Sequence, residues 1–483
     1  MTSSAPTLVW FRQDLRLADN PALAAAVQHG GPILPVFVWS QDGEGDWPAG
    51  GATQWWLHRS LARLAESLAK RGSKLIIRQG DTQEQLNQLV QETKAGRVYW
   101  NRRYEPACIA RDAQIKARLR TDGVDAQSFN AGLLLEPWEV RNKQGSPFQV
   151  FTPYWKHCQE KLTPALPESA PSQLAAPAKW PRSESVESLG LEPTIPWADG
   201  LEQAWQPGEA GAYATLQAFL AEAVGDYPTA RDQPEPEGTS RMSPYLHFGE
   251  IGPRQIWQAV AERMQEAKKP FAAAGQSWLR QLGWREFAHH LLFHFPHTPA
   301  EPLRAPYAAF PWRKAPRELK AWQQGRTGYP LVDAGMRQLW VTGWMHNRVR
   351  MVVASFLVKH LLLSWQEGAA WFWDTLVDAD LANNTLGWQW TAGCGADAAP
   401  YFRIFNPVSQ GEKFDTGGAY VRKWVPELAG LPDKYLHQPW TAPGVLLKDA
   451  GVKLGGNYPA PMVVHQEARE RALEALGTIR KGD

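Results

Sequence analysis

Residues 7–39, TLVWFRQDLRLADNPALAAAVQHGGPILPVFVW, hold two uninterrupted apolar runs, 7–11 and 32–39, separated by an amphipathic stretch over 20–29. A strand buried on both faces needs no polar alternation, and two such strands joined by a helix form a parallel pair. The pattern continues outward: apolar runs recur at 74–78, 97–100 and 124–129, with amphipathic stretches at 51–71, 82–94 and 106–122 between them. Strands alternating with helices predict a doubly wound parallel sheet over residues 1–135. No G-x-G-x-x-G follows the first run, so a dinucleotide fingerprint is absent there.

The rest of the 483-residue chain reads differently, and its length alone calls for two or three domains. Residues 163–200 carry seven prolines among Ser, Ala and Glu, and 136–200 is expected to be an interdomain linker crossing the surface. From 201 to 483 apolar residues recur at three- and four-residue spacing, through 213–224, 278–293, 332–339, 345–363 and 369–376. The predicted fold class is therefore α/β plus all-α, with a helical domain after the linker.

Composition bounds the function. With 44% hydrophobic and 21% charged residues the chain reads as soluble and globular. Cys108, Cys158 and Cys394 are too few and scattered for a disulfide framework or a zinc cluster, so a reducing, cytoplasmic compartment is expected. The start does not look like a signal peptide, and the apolar stretch 352–363, broken by Lys359 and His360, is too short to span a bilayer. The net charge is only +2, yet residues 304–350 hold nine Lys and Arg against Glu318 and Asp333. Such a surplus suits a phosphate-facing surface, or equally a helix face paired to carboxylates from elsewhere. Of 25 Trp, 13 lie between Trp278 and Trp440. Core packing accounts for most; stacking against a cofactor or base, or electron hopping, is the alternative for the rest.

Four motifs carry chemistry. In EGTSRMSPYLHFGEI (237–251), Thr239, Ser240 and Ser243 precede a helical run, where hydroxyls and free amides make a phosphate site with Arg241 nearby, or a plain helix cap. In WLRQLGWREF, Trp278, Gln281, Trp284 and Arg285 share one broad helix face that suits a pocket for planar rings. In GWMHNRVRM, Trp344, Asn347, Arg350 and Met351 repeat that spacing, and His346 is expected in a buried polar network. In DADLANNTLGWQW (378–390), Asp378, Asp380 and Asn384 bunch together; no His or third carboxylate follows at ligand spacing, so no metal is expected. Trp388 and Trp390 must point different ways.

Over nearly its whole length the chain resembles the photolyase/cryptochrome flavoproteins, and is most similar to the class of cyclobutane-pyrimidine-dimer photolyases nearest plant cryptochromes. VWFRQDLRLADNPAL, GRTGYPLVDAGMRQLWVTGWMHNRVRMVVASFLVK and DADLANNTLGWQW with DAAPYFRIFNP carry the match. The resemblance implies light-driven repair of dimers in UV-damaged DNA, by electron transfer from excited reduced FAD to a flipped-out dimer. It implies that Tyr227 and the segment Thr239, Ser240, Arg241, Met242 and Ser243 hold the FAD pyrophosphate. Trp278, Arg285, Trp344, Asn347, Arg350, Phe372, Asp378, Asp380, Asn384 and Gly387 match the remaining flavin contacts. Arg350 and Asp378 resemble the ion pair beside the isoalloxazine, and Asn384 the partner of its N5. Trp284 and Trp390 resemble the walls of the dimer pocket, with Asn347 and Met351 beside the lesion. Trp388, Trp365 and Trp312 resemble an electron relay to the surface.

Two departures stand out. Gln281 occupies a position where many dimer photolyases carry Glu, and Ala107-Cys108 replaces the Asn-Glu pair that binds folate in one class. The expected antenna is still methenyltetrahydrofolate, with 8-hydroxy-5-deazaflavin as the alternative. The main rival is a cryptochrome photoreceptor. Plant cryptochromes tend to carry Leu, Val, Asp and Tyr where this chain has Trp284, Met351, Asn384 and Trp390, and the chain ends at Asp483 without a long signalling tail. A (6-4) photolyase accommodates Gln281 but needs a His pair, which His346 alone does not supply. A dark flavin oxidoreductase would need a nicotinamide or substrate site that the sequence does not display. A monomer is expected.

Overall fold

Strands β1 (Thr7–Phe11), β2 (Ile33–Trp39), β3 (Ile76–Gln79), β4 (Arg97–Asn101) and β5 (Asp125–Phe129) form one parallel sheet in the order β3-β2-β1-β4-β5. The computed structural model describes residues 5–235, 237–266, 269–398 and 402–480. β1 is central, buried at every residue, and pairs with β2 and β4, so the strand order reverses beside it. Helices α1 (Pro21–His29), α2 (Gly51–Ala69), α3 (Thr82–Thr93) and α4 (Pro106–Thr121) cover the sheet. Asn20 caps α1, its side chain accepting from Leu23 N at 3.1 Å.

The two faces of the sheet enter different cores. Leu8, Trp10, Val36 and Val98 pack with Leu86, Leu89, Ile115 and Leu119 of α3 and α4. Val9, Phe11, Ile33 and Phe37 pack with Leu61 and Leu64 of α2, and that core continues into Ile251, Leu279 and Trp344 of the helical half. The second face of the sheet is thus closed by the other domain, which fixes their relative placement. Buried Glu250 marks this seam: its Oε1 accepts from Trp56 Nε1 at 3.1 Å, from Gly208 N at 2.7 Å and from Ser60 Oγ.

The expected linker, 136–200, contains a regular helix, α5 (Phe151–Lys161), with Phe151, Tyr154, Trp155 and Cys158 buried. Its apolar residues pack against Phe287 and Leu291 on the long helix α6 (Lys269–His294). From 163 onward the chain runs irregularly over the α/β domain. It is anchored by buried Leu174 and Leu189 and by hydrogen bonds such as Ile33 N to Ala175 O, 2.8 Å.

In the helical half, α6 is followed by α7 (Pro330–Thr342), α8 (Asn347–Ser355), α9 (Trp365–Thr375), α10 (Leu381–Ala392) and α11 (His465–Arg480), with shorter helices between them. The periodic run 345–363 is not one straight helix. α8 widens into a π-type turn at Phe356–His360, and Leu362 ends the run at a φ of 52°. That turn buries Lys359, whose Nζ donates to Ala392 O at 2.7 Å where α10 ends; burial holds its pKa well below the usual lysine value. α10 packs against α6, α8 and α9, and is the axis of the site.

Candidate functional site

The two acidic residues that lead into α10 diverge. Asp378, nearly buried, accepts from Ser243 Oγ at 2.6 Å and from Arg350 Nη2 at 2.8 and 3.1 Å. The ion pair between Arg350 and Asp378 expected from the sequence is therefore formed, with Ser243 as a third member. Asp380 caps α10, its Oδ1 accepting from Asn383 N at 2.8 Å, while Oδ2 lies 3.4 Å from His289 Nε2. Burial alone would push the Asp380 carboxyl up, but His289 and Arg285 hold it far below the usual carboxylate range. Burial lowers and Asp380 raises the pKa of His289, and the net direction is upward, towards the charged form that would pair with Asp380.

The segment 239–243 does not serve as a helix cap. The short helix Ser243–His247 begins at Met242 with no side-chain cap, and the Ser243 hydroxyl turns instead to Asp378. Thr239 Oγ1 and Arg241 Nε are buried without a partner. Buried polar atoms are rarely left unpaired, so these fit a ligand with acceptor oxygens, the chemistry of a diphosphate. Gly238 lets this segment close on the turn that starts at Tyr227, since a Cβ there would fall 2.5 Å from Ala230 Cβ. Arg241 is partly committed elsewhere: its guanidinium lies 4.1 Å over Trp205, pairs with Glu237 at 3.1 Å and adopts a φ of 51°. Along α10, Asn384 is half-buried and Gly387 has no atom within 4 Å of where a side chain would begin. That bare strip of helix can lie against a planar ring.

Trp388 and Trp390 do point apart. Trp388 is buried, edge-on to Phe372 with centroids 5.0 Å apart, and its ring fills the space above Gly368, where a Cβ would clash at 2.0 Å. Trp365 shares that core and Trp312 packs against it from the half-exposed surface. Trp284, Trp390, Met351 and Gln281 are half-buried and Asn347 is exposed. Trp278 and Trp344 lie deeper than the other residues of these two motifs. Both are buried in the core shared with the sheet, Trp278 with its centroid 5.5 Å from Phe219. Arg285 donates to Gly132 O at 2.6 Å.

His346 caps α8, its Nδ1 accepting from Arg348 N at 3.2 Å, and burial lowers its pKa to about 4. Of the nine basic residues in 304–350, Arg313, Arg337, Arg348 and Arg350 pair with Glu318, Glu427, Asp232 and Asp378. Arg304, Lys314, Arg317, Lys320 and Arg326 are exposed. The carboxylate-paired reading therefore holds for four of the nine, and the other five remain available to solvent.

Sequence reasoning missed Phe151, whose ring lies flat on Trp284 at 3.7 Å and 8°, and Trp322, 6.3 Å from Trp388. It also missed His289 and the cleft at the carboxyl ends of the strands. That cleft is lined by Trp10, Arg12, Trp39, Thr53, Arg103 and His247 among others, with Ala379, between the two acidic residues, on one wall. Five polar atoms on its wall, Trp10 Nε1, Arg12 Nε, Trp39 Nε1, Thr53 Oγ1 and His247 Nδ1, are buried without partners. The only signal was topological: ligands in open parallel sheets bind where strand order reverses.

Comparison with known proteins matches this arrangement. The family model for the FAD binding domain of DNA photolyase covers residues 278–478, and that for DNA photolyase covers 7–172. The chain is 49% identical over 480 residues to a deoxyribodipyrimidine photo-lyase of Agrobacterium fabrum, covering 99% of each. It is 42% identical to Cryptochrome-2 of Arabidopsis thaliana, covering 100% of this chain and 80% of that one. The crystal structure of a bacterial class III photolyase from Agrobacterium tumefaciens superposes with a TM-score of 0.96 at 48% identity, covering 100% of this chain and 99% of that one. Among the described residues no helix is long and apolar enough to cross a membrane.

Proposed function

The chain belongs to the photolyase/cryptochrome family, and we propose that within it the protein is a deoxyribodipyrimidine photo-lyase that repairs cyclobutane pyrimidine dimers in DNA with light. The observation that carries this reading is the pair of half-buried indoles, Trp284 and Trp390, on the two packed helices α6 and α10. Apolar rings left half-open to solvent suit a flipped-out pyrimidine dimer better than they suit packing.

FAD, the cofactor, supplies the light-excited electron that splits the dimer. Thr239, Ser240, Arg241, Met242 and Tyr227 would hold its diphosphate, and the unpartnered Thr239 and Arg241 atoms support this. Ser243, Arg350 and Asp378 would present a fixed charge pair to the ring, Asn384 an amide to its N5, and Gly387 the bare backbone beneath it. Trp278, Arg285, Trp344, Asn347, Phe372 and Asp380 complete that cradle. Because Asp380 is tied to His289 and to the start of α10, it would set the ring's height along that helix.

Trp284 and Trp390 would sandwich or wedge the dimer, with Asn347, Met351 and Gln281 at its polar edges. Extruding a dimer costs roughly a few kcal/mol, least for a damaged pair, and the exposed Arg304, Lys314, Arg317, Lys320 and Arg326 would grip the backbone phosphates regardless of sequence. Trp388, Trp365 and Trp312 would carry electrons from the surface to re-reduce the cofactor. We place the flavin in 201–483 and the antenna in 1–135. The cleft's unpartnered donors and arginines suit a planar, acceptor-rich chromophore; methenyltetrahydrofolate is our assignment, and 8-hydroxy-5-deazaflavin has the same chemistry. The absorption spectrum of the released chromophore distinguishes them. The protein is proposed to act as a monomer in the cytoplasm.

The test is to reduce the purified protein, add UV-irradiated oligothymidine, and follow the ultraviolet absorbance of the bases. Recovery under blue light and none in darkness is the expected result. No recovery by a protein that binds and photoreduces flavin would overturn the repair reading in favour of a photoreceptor.

A further inference from the structure

We infer that Phe151 and Asp397 are positioning residues that set the gap between the two aromatic walls of the dimer pocket, an inference that rests on the repair reading above. Neither lies on the helices that carry those walls. Phe151 opens α5, in the region the sequence presents as linker; Asp397 follows α10 in an irregular segment.

Each wall is held by a different kind of contact, and both contacts lead to residues 149–151. Trp284 is held by stacking: the Phe151 ring covers one face at 3.7 Å and 8°, so only the other face can receive a base. Phe151 is itself fixed, buried against Phe287 at 5.8 Å and capped by the Arg280 guanidinium at 5.1 Å. α5 sits directly on α6 because position 283 is glycine; a Cβ there would meet the Trp155 ring at 2.5 Å. Trp390 is held by a hydrogen bond: its Nε1 donates to Asp397 O at 3.1 Å. Asp397 in turn donates its backbone N–H to Gln149 O at 3.1 Å, and its carboxyl faces the Phe151 amide and Arg280. Asp397 adopts a φ of 49°, a left-handed conformation that a non-glycine residue keeps only where its surroundings over-determine it.

The circuit Trp284, Phe151, Gln149, Asp397, Trp390 is therefore closed without passing through α6 or α10. Those helices fix where the two indoles start; the circuit fixes which way their planes face and how far apart they stand. The flavin-side residues Ser243, Arg350, Asp378 and Asn384 take no part in it. A change in the circuit should accordingly alter how tightly a dimer is held, and leave flavin binding and the rate from the bound complex alone.

The test uses the FAD-loaded protein with UV-irradiated oligothymidine. The dissociation constant is measured in darkness and the repair rate at saturating substrate under blue light, for Phe151→Leu, Phe151→Tyr, Asp397→Ala and Asp397→Asn. Tyr keeps the ring, and Asn tolerates the left-handed backbone. Phe151→Leu and Asp397→Ala are expected to weaken dimer binding roughly five- to tenfold, the scale of one aromatic stack. The flavin spectrum and saturating rate should be unchanged, and Tyr and Asn should restore binding to within about twofold on that scale. Unchanged binding in both disruptive variants overturns the inference, as does an equal loss of affinity for undamaged oligothymidine. A Phe151→Leu protein that fails to fold leaves Asp397→Ala, on the other wall, to decide. Failure of the unmodified protein to repair dimers would sink the repair reading instead, and is read out separately.

Discussion

Replacing Glu250 by Gln should stabilise the protein, and only at neutral to alkaline pH. Glu250 is fully buried at the seam between the sheet and the helical half. One carboxylate oxygen collects the three donors Trp56, Ser60 and Gly208, and the other has no partner. Burial pushes its pKa up from 4.5 to about 8, against the downward pull of those donors. The folded state thus holds a proton that the unfolded chain has released. A carboxyl raised in this way contributes its full stability below pH 4.5, loses it as pH rises towards 8, and is constant beyond. At about 1.4 kcal/mol per pH unit the loss is roughly 3 kcal/mol by pH 7 and about 5 kcal/mol by pH 8.

Glutamine is the neutral acid made permanent. Its amide oxygen can accept the same three donors, while the amide nitrogen takes the place of the oxygen without a partner. With an unfolding entropy of about 2 cal/mol/K per residue, the chain gains or loses about 1 kcal/mol per degree near its midpoint. E250Q should therefore melt about 3 °C above the parent at pH 7, about 5 °C above it at pH 8.5, and within about 1 °C of it at pH 5. Calorimetry at the three pH values is the assay. If the two proteins lose stability in parallel from pH 5 to 8.5, the carboxyl is ionised in the fold and the reasoning fails.

Other outcomes follow from the site. Trp388→Phe should abolish photoreduction of the bound flavin yet leave repair by chemically reduced enzyme intact; if repair by pre-reduced enzyme falls equally, the relay assignment is wrong. Ser243→Ala removes a hydrogen bond to the Asp378 carboxylate, worth about 1.5–3 kcal/mol. It should raise the Kd of the apoprotein for FAD by roughly 10- to 100-fold in a fluorescence titration; an unchanged Kd would mean that the Arg350 and Asp378 pair faces away from the flavin. Arg317→Ala combined with Lys320→Ala should weaken binding to damaged and undamaged oligonucleotides alike. It should also flatten the dependence of log K on log salt by about 2. An unchanged slope would move the phosphate contacts to another surface.

The sheet was legible because its central strands declare themselves locally: β1 is Thr7 followed by four apolar residues, all buried, as a strand covered on both faces should be. The charge pair between Arg350 and Asp378 was legible through resemblance, and the opposed directions of Trp388 and Trp390 through helix geometry alone. What failed to show depended on partners distant in the chain. The spacing that groups Trp278 with Trp284 on one helix face carries no sign of Phe219, which packs against Trp278 from another element. Four of the nine arginines and lysines in 304–350 find carboxylates, and three of those, Asp232, Asp378 and Glu427, come from outside the segment. Composition counts such charges without seeing their partners.

Phe151 was the hardest case. It lies in a stretch whose prolines downstream mark it as connective, and one aromatic residue at a helix start carries no signal of its own. Its role follows only from the close crossing at Gly283 and from Asp397, which reaches the same segment from the far end of the catalytic helices. The chemistry of a pocket is written in the residues that line it, so sequence reading reaches them. The dimensions of the pocket depend on residues one layer behind, chosen by packing, and those become visible only when the chain is folded.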